Sequence, residues 1–294
     1  MPALMSRRAV LVAAGTACAL SAFGRSLAAD REQIERRLAA LEVVSGGRLG
    51  VAILDPERSA TVNHRGGERF AMCSTFKVLA CAALLARIDR GEDRLDRRVF
   101  FAEKDVLTYS PASKAFAGPS GMTLDAICEA ALTLSDNTAA NLILAAIGGP
   151  SGVTAFARAI GDGTTRLDRI EPELNEATPG DPRDTTTPLA MLDDLSRILL
   201  GDILSAASRA HLEGWMVASK TGRRRLRAGL PKDWTVGDKT GGGDHGATND
   251  IAVIKPPGRG PLLVTAYFAE APGPMEGREQ VLAEIGRIVA EFAS

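Results

Sequence analysis

Hydrophobic residues along the chain change their spacing several times, and each change predicts a different element. Between residues 31 and 41 they recur every three or four positions, which predicts an amphipathic helix that stops at Gly46-Gly47. The apolar run Leu49–Leu54, a polar turn over 55–58 and the extended segment Ala60–Asn63 then predict a β-hairpin. A helix and two strands therefore precede the middle of the chain.

The middle of the chain, from about residue 75 to residue 212, has a mostly helical pattern. Its predicted helices are Phe76–Ile88, Leu124–Leu132, Asn137–Ile147, Val153–Ile160 and Leu189–Leu199. Three predicted strands and a last amphipathic helix follow, at Trp234–Asp238, Ile251–Ile254, Leu262–Phe268 and Gln280–Phe292. Strands thus flank the helical block on both sides.

This order of elements predicts the fold class. A single sheet must combine strands from both ends of the chain, and strands joined by short turns pair antiparallel. We expect an α/β (α+β) fold of two lobes, with a five-stranded antiparallel sheet covered by the two terminal helices. The α/β lobe would comprise 30–72 and 217–294, and the all-α lobe, 73–216, would be inserted between them.

Composition narrows the class of protein. The chain has 294 residues, of which 45% are hydrophobic and 24% charged, which excludes a disordered or collagen-like chain. The 35 basic and 36 acidic residues nearly cancel, so nucleic acid is not expected as a partner.

The first 29 residues are typical of a cleavable signal peptide. They carry three arginines, no acidic residue and the apolar run Ala9–Phe23, which is short for a membrane span. The order of residues over Ser6–Leu11 resembles a twin-arginine export signal, and small residues at 26–29 suit a peptidase. Lipidation at Cys18 is a weaker alternative. Export without stable membrane insertion after cleavage is therefore expected, in the periplasm or outside the cell.

Ser74 and Lys77 are the first candidate catalytic residues. They stand three positions apart at the start of a predicted helix, on one face of it. A buried lysine there can activate the serine hydroxyl for attack on an acyl carbon. The alternative is a helix-capping serine beside a solvated lysine, and this short motif alone does not decide between them.

Further motifs follow in a recognisable order. Ser135-Asp136-Asn137 lies in the helical block, and Lys239-Thr240-Gly241 ends a predicted strand. Between them stands Glu171 in the segment 166–175, and Thr248-Asn249-Asp250 comes later. Together these motifs resemble those of the class A serine β-lactamases, over about residues 31–294. The resemblance implies a secreted enzyme that hydrolyses the β-lactam amide of penicillins and cephalosporins, and so confers antibiotic resistance.

The resemblance also implies catalytic roles. Ser74 would attack the β-lactam carbonyl, with the backbone N–H groups of Ser74 and Gly242 as oxyanion hole. Glu171 and Asn175 would hold the water that releases the acyl-enzyme. Whether Glu171 or Lys77 takes the Ser74 proton during acylation is left open.

Other residues would bind the substrate or relay a proton. Ser135 would pass a proton to the leaving nitrogen. The residues expected to contact the substrate are Tyr109, Asn137, Asn175, Arg225, Lys239, Thr240 and Gly242. Asn137 and Asn175 could instead be turn or cap residues, Tyr109 could pack against Pro111, and Arg225 could belong to a solvated charged face.

The segment from about 166 to 184 resembles the omega loop of the family. Arg169 and Asp184 match the ion pair that closes this loop, and their role is expected to be structural. The bond between Glu171 and Pro172 can be cis in such a loop.

Three cysteines, Cys73, Cys81 and Cys128, follow the signal segment. Cys81 and Cys128 match the positions of a disulfide found in part of the family, and two reduced thiols are the alternative. Cys73 matches a cysteine that is bridged in a carbapenem-hydrolysing branch. Its partner position here is Gly243, so that bridge is not expected.

The sequence argues against other chemistries. The glycines of 241–246 are followed by a predicted strand, whereas a dinucleotide-binding glycine motif is followed by a helix. A dinucleotide-binding site is therefore excluded. His64, His211 and His245 lie far apart, so neither a metal nor a cofactor is expected. A D-alanyl-D-alanine peptidase and a β-lactam sensor remain as alternative functions. A monomer with a β-lactam as its small-molecule partner is the expectation.

Overall fold

Five strands from both ends of the chain form one antiparallel sheet in the computed structural model, which describes residues 29–293. The strands of the sheet are β1 (Arg48–Asp55), β2 (Ala60–His64), β7 (Thr235–Gly242), β8 (Thr248–Lys255) and β9 (Leu262–Ala269). Four two-residue strands form two separate pairs: β3 (Phe70–Ala71) with β6 (Thr185–Thr186), and β4 (Arg98–Val99) with β5 (Met122–Thr123).

The helices follow the predicted order. They are α1 (29–45), α2 (Phe76–Asp89), α3 (Leu124–Thr133), α4 (Asn137–Ile147), α5 (Pro150–Ala159), α6 (Pro188–Leu199), α7 (Ala206–Val217), α8 (Leu226–Gly229) and α9 (Met275–Ala293). The helices α7 and α8 were not predicted as separate elements, and α7 lies at the end of the predicted helical block.

The sheet has the strand order β2-β1-β9-β8-β7, and every neighbouring pair is antiparallel. The hairpin of β1 and β2 pairs Val51 with His64 and Asp55 with Ala60. The prediction of a five-stranded antiparallel sheet built from both chain ends is confirmed. Its edge strand β7 carries Lys239 and Thr240.

Two apolar cores lie on opposite faces of the sheet. Val51 and Ile53 of β1 pack with Leu38 of α1 and Leu282 of α9, whereas Ala52 belongs to the core of the other helices. This alternation follows from the period of two in a strand. The terminal helices therefore cover one face, as expected, and the helical block packs against the other.

Local signals determine the ends of α4. Asp136 precedes the helix and accepts a hydrogen bond from the N–H of Ala139, and Gly148 ends it in a left-handed conformation with φ of 93°. These caps satisfy backbone groups that the helix leaves free at its ends. The predicted bounds Asn137–Ile147 are confirmed.

Within the part of the chain described, no single helix has both the length and the apolarity to cross a bilayer. The bent pair α4 and α5 reaches that length and composition together, with an angle of 64° between its halves. The predicted signal peptide, 1–29, lies almost entirely outside the described residues, as does Cys18.

The predicted disulfide between Cys81 and Cys128 is not formed in the structure. Both residues are free thiols, fully buried where α2 packs against α3. The Cys81 thiol is hydrogen-bonded to Cys128. This hydrogen bond, and then burial, raise the pKa of Cys128 well above its ordinary value. The raised pKa disfavours the thiolate of Cys128, which is the form that reacts with oxidants.

We expect both thiols to be alkylated when the purified, unreduced protein is unfolded in denaturant with iodoacetamide. Peptide mass spectrometry reads the modification of Cys81 and Cys128 separately. Cys73, which has no cysteine partner in the described structure, is the internal standard for complete alkylation. A cross-linked peptide joining Cys81 to Cys128 would contradict the structure.

A pair of carboxyl groups lies beneath the start of the 166–184 segment. Asp194 of α6 is fully buried, and neither of its oxygens receives a hydrogen bond from a donor in the described residues. Burial, and then the charge of nearby Asp162, raise the pKa of Asp194 to about 9, against a smaller effect of Arg197. Asp162 accepts N–H bonds from Thr164 and Thr165, so Asp194 is the partner that keeps its proton.

Asp194→Asn should therefore stabilise the fold at neutral and alkaline pH. The folded protein holds a proton on Asp194 that the unfolded chain loses above a pKa of 3.8, so this residue's contribution falls as pH rises from about 4 to about 9. Between these pH values the unmodified protein should lose up to about 1.4 kcal/mol per pH unit relative to the variant, so the variant should be the more stable protein at pH 8. Denaturant unfolding across this range measures it.

Asp193→Asn is the matched control, because Asp193 is exposed on the same helix. If the unfolding free energy of Asp194→Asn depends on pH as steeply as that of the unmodified protein, Asp194 does not keep a proton in the folded state.

Candidate active site

Ser74 lies in a single helical turn, Cys73–Thr75, that leads directly into α2. The chain before it is held in place by Asn249, whose side-chain amide donates to the carbonyl oxygens of Ala71 and Met72. Cys73 has a φ of 45°, an unusual value for a residue with a side chain. The hydroxyl of Ser74 is thus presented at the helix start by its surroundings.

A carboxylate from a distant segment contacts this hydroxyl. The Ser74 Oγ donates to Oε1 of Glu171 across 3.4 Å, and Oε1 lies 2.9 Å from Nζ of Lys77. The Lys77 and Glu171 side chains are both fully buried. The sequence-predicted serine, lysine and glutamate therefore meet at one point, with the glutamate in contact with both partners.

Lys77 has three further acceptors close by. Its Nζ donates to the Ser135 carbonyl oxygen at 2.9 Å, to Oδ1 of Asn137 at 2.8 Å and to Oγ of Ser135 at 3.4 Å. Burial lowers the pKa of Lys77, and the adjacent Glu171 carboxylate opposes that shift. A solvated lysine, the alternative considered from the sequence, is excluded by this burial.

Asn141 positions the Glu171 backbone and was missed by the sequence analysis. Its side chain accepts from the N–H of Glu171 and donates to the carbonyl oxygen of Glu171, both at 2.9 Å. Asn141 stands four residues after Asn137 on α4, so both face the same side of the helix. That spacing was the available signal. The bond between Glu171 and Pro172 is cis.

Asn175 contacts the same carboxylate from the other side. Its Nδ2 donates to Oε2 of Glu171 and to the Pro172 carbonyl oxygen. Its Oδ1 is buried and has no hydrogen-bond partner in the described residues. An unpaired acceptor next to a carboxylate is a place where a water molecule can donate.

Arg169 and Asp184 join the two ends of the 166–184 segment. The buried Asp184 carboxylate accepts from the N–H groups of Asp168 and Arg169, at 2.8 and 2.9 Å, and from Nε of Arg169 at 2.6 Å. The Asp184 carbonyl oxygen also accepts from the N–H of Met72, two residues before Ser74. These bonds tie the segment to the chain that carries the serine.

Ser135 lies between the two buried lysines. Its Oγ accepts from Nζ of Lys239 at 3.0 Å and from Lys77 at 3.4 Å. The following Asp136 anchors the loop by accepting from Ser113 and from the N–H groups of Ala112 and Ala139. Burial, and then the charge of Lys77, lower the pKa of Lys239 well below its ordinary value.

Arg225 does not lie on a solvated face. It is buried, and its Nη1 donates to the carbonyl oxygens of Gly241 and Asn249 at 2.6 Å each. Its neighbour Arg224 is 60% exposed and pairs with Glu279. The adjacent residues Arg224 and Arg225 therefore differ in their surroundings: Arg225 lies under the site and Arg224 lies on the surface.

A cleft of about 390 Å³ opens in front of these residues. It is lined by Ser74, Tyr109, Ser135, Asn137, Asn175, Thr221, Arg225, Thr240, Gly241, Gly242 and Met275. Tyr109 is 52% exposed, so its ring is available at the edge of the cleft. Thr221, Gly241 and Met275 were not predicted as site residues. No motif marks Thr221 or Met275, and Gly241 belongs to the lysine motif but was given no role.

Lys77, Glu171 and Lys239 are buried behind this lining. Gly243 lies against Cys73: a Cβ added at Gly243 would be 2.9 Å from the Cys73 sulfur. Within residues 29–293, no group of three or more His, Cys, Asp or Glu side chains is arranged to hold a metal ion.

This fold and site define a class of protein. A buried serine hydroxyl at a helix start, contacted by a carboxylate that also pairs with a buried lysine, is an arrangement typical of enzymes that use serine as a nucleophile.

Comparison with known proteins identifies the family. The model of the β-lactamase enzyme family matches residues 33–293. The chain is 49% identical over 277 residues to β-lactamase CTX-M-8 of Citrobacter amalonaticus, covering 94% of this chain and 95% of that one. It is 47% identical over 285 residues to β-lactamase OXY-1 of Klebsiella oxytoca, covering 97% of each.

Comparison with solved structures gives the same family. An ancestral class A β-lactamase matches with a TM-score of 0.87 and 60% identity, over 88% of this chain and 99% of that chain. A second one, from the last common ancestor of Gram-negative bacteria, matches with a TM-score of 0.87 and 57% identity, over 89% and 99%. The chain belongs to the class A β-lactamases, enzymes that hydrolyse β-lactams.

Asp184→Asn should loosen the 166–184 segment while leaving the fold intact. The substitution removes the negative charge that three donors share, at a cost of about 2 kcal/mol. Hydrogen exchange read by mass spectrometry should become at least about tenfold faster in this segment only.

Asp181→Asn is the matched control, since Asp181 pairs on the same segment with Arg183, which is itself half exposed. If the rate of hydrogen exchange in residues 166–184 is the same in Asp184→Asn as in the unmodified protein, this carboxylate does not hold the loop closed.

Proposed function

We propose that this chain hydrolyses penicillins and cephalosporins through an acyl-enzyme on Ser74, released by a water molecule that Glu171 activates. The observation that carries the proposal is the contact of the Glu171 carboxylate with the Ser74 hydroxyl at 3.4 Å, from a segment held in place at both ends. A base within reach of both the nucleophile and a water site is what turnover requires.

In acylation, the Ser74 oxygen forms a bond with the β-lactam carbonyl carbon, and the bond from that carbon to nitrogen breaks. The serine proton passes to Glu171 or Lys77, both in the same buried cluster. Ser135 delivers a proton to the leaving nitrogen, and its bond with Lys239 supports this relay. The N–H groups of Ser74 and Gly242 stabilise the negative oxygen.

In deacylation, water attacks the ester carbonyl carbon and gives a proton to Glu171. The bond from that carbon to the Ser74 oxygen then breaks, and the Ser74 oxygen takes the proton back from Glu171. The unpaired Oδ1 of Asn175 and the adjacent Glu171 carboxylate are suitable partners for this water. The carboxylate-holding segment is the feature that a peptidase or a sensor with the same serine and lysines would not need.

Substrate binding is assigned to the lining of the cleft. Lys239, Thr240 and Arg225 supply positive charge and a hydroxyl for the substrate carboxylate. Asn137 holds the side-chain amide of the substrate, since its Oδ1 is already used by Lys77 and its Nδ2 can still donate. Tyr109 borders the cleft. The CTX-M and OXY relatives support a broad range that includes cephalosporins.

We place the cleft between two lobes, 73–216 and the combination of 30–72 with 217–294. We also propose that the protein acts as an exported monomer in the periplasm or outside the cell, without a nucleic-acid partner or a cofactor. The twin-arginine-like segment Ser6–Leu11 supports export, and the near-neutral composition supports the lack of a nucleic-acid partner.

Glu171→Ala should trap the acyl-enzyme. Removal of the base slows deacylation by about 10² to 10⁴-fold. Intact-protein mass spectrometry after mixing with a penicillin should then show the protein mass increased by the whole penicillin, because ring opening adds the substrate without losing atoms. The unmodified protein should return to its free mass within seconds while the substrate is consumed.

Ser74→Ala in the Glu171→Ala background is the control and should show no adduct. An adduct equally long-lived with and without Glu171 would instead indicate a sensor. Faster cleavage of acyl-D-Ala-D-Ala peptides than of penicillins would indicate a peptidase.

A further inference from the structure

The hydroxyl of Thr240 is engaged inside the protein although it lines the cleft. Its Oγ1 donates to Oγ1 of Thr221 across 2.7 Å, and Thr240 is only 5% exposed. A hydroxyl has a single proton. While that proton is used on Thr221, Thr240 can offer the cleft only its lone pairs.

The direction of this bond is determined further inside. The Asp238 carboxylate is fully buried and accepts from Oγ of Ser219 at 3.1 Å and from Nε of Arg227 at 3.0 Å. A carboxylate next to an arginine only accepts. Ser219 must therefore direct its proton to Asp238, which leaves its oxygen as an acceptor.

Thr221 lies between Thr240 at the cleft and Ser219 beside Asp238. Its Oγ1 lies 3.4 Å from Oγ of Ser219, and because Ser219 is an acceptor on this side, Thr221 is the donor. The lone pairs of Thr221 then remain for Thr240. Three hydroxyls in succession, those of Thr240, Thr221 and Ser219, direct their protons away from the cleft toward Asp238.

The backbone fixes this row of hydroxyls in place. A Cβ added at Gly222 would stand 1.8 Å from Oδ2 of Asp238, so only glycine permits the chain after Thr221 to lie this close to the carboxylate. The N–H of Lys220 also donates to the Thr133 carbonyl oxygen at 2.9 Å. Thr221 is therefore held against Thr240 from two sides.

We infer that Thr221 is a positioning residue that weakens the binding of the substrate carboxylate by retaining the proton of Thr240. The inference rests on the proposed role of Thr240 in holding that carboxylate. On binding, the hydrogen bond from Thr240 to Thr221 breaks and one from Thr240 to the carboxylate forms, with no proton transferred. Each carboxylate-bearing substrate gives up one internal hydrogen bond, which weakens binding about fivefold.

Thr221→Val tests this, because valine has nearly the same shape but cannot accept a hydrogen bond. Stopped-flow acylation with enzyme in excess over a chromogenic cephalosporin separates the dissociation constant of the first complex from the acylation rate. We expect the dissociation constant to fall about fivefold and the acylation rate to change less than about twofold. Thr221→Ser, which keeps the hydroxyl, should behave like the unmodified protein.

The methyl ester of the same cephalosporin removes the carboxylate charge and supplies the decisive comparison. Its dissociation constant should fall clearly less than that of the acid in Thr221→Val, because a neutral ester carbonyl accepts a weaker hydrogen bond from Thr240 than a carboxylate does. An equal change for acid and ester would mean that valine only alters the shape of the cleft. Weaker or unchanged binding of the acid to Thr221→Val would overturn the inference.

These measurements do not depend on deacylation. If Glu171 does not activate water, the acyl-enzyme persists in the mass-spectrometric experiment, but the difference between acid and ester in the first complex is still measurable. Failure of the inference and failure of the proposed hydrolysis are thus distinguishable.

Discussion

The site depends on one buried ion pair, between Lys77 on α2 and Glu171 on the 166–184 segment. Neither side chain is exposed, and taking two charges out of water costs several kcal/mol for each. The cost is offset only if further hydrogen bonds satisfy the remaining donors and acceptors of the two charged groups. Ser135, Asn137, Asn175 and Ser74 supply such partners, so the ion pair requires that all the elements carrying them come together.

The segment that carries Glu171 is held mainly by polar contacts. Asp184, at one end of the segment, accepts hydrogen bonds from three donors of Asp168 and Arg169 at the other end. Asn141 of α4 makes two hydrogen bonds with the Glu171 backbone. The buried Leu174 adds an apolar contact. These contacts can fix the position of the Glu171 carboxylate with the accuracy that proton transfer needs, although Glu171 is not part of a helix or strand.

Several outcomes could not have been obtained from sequence patterns. The roles of Asn141 and Thr221 arise from contacts with residues 30 and 19 positions away. No motif marks Thr221, and the spacing of four residues from Asn137 is a weak signal for Asn141. The strands β3 and β6 have two residues each, too few to show a period. The thiols of Cys81 and Cys128 match a family disulfide by position, yet in this structure the two sulfurs are hydrogen-bonded and not joined.

The amino-acid sequence by itself determined the order of elements, the antiparallel sheet and the identity of the chemical groups. The elements follow from periodicity and turn residues, and the chemical groups follow from short motifs. Each of these signals is local along the chain. Only the tertiary structure decided that Arg225 lies under the site, that Lys239 lies beside Ser135, and which hydroxyl Thr240 contacts. Such relations depend on packing between residues far apart in sequence, and burial then sets their charge and hydrogen bonding.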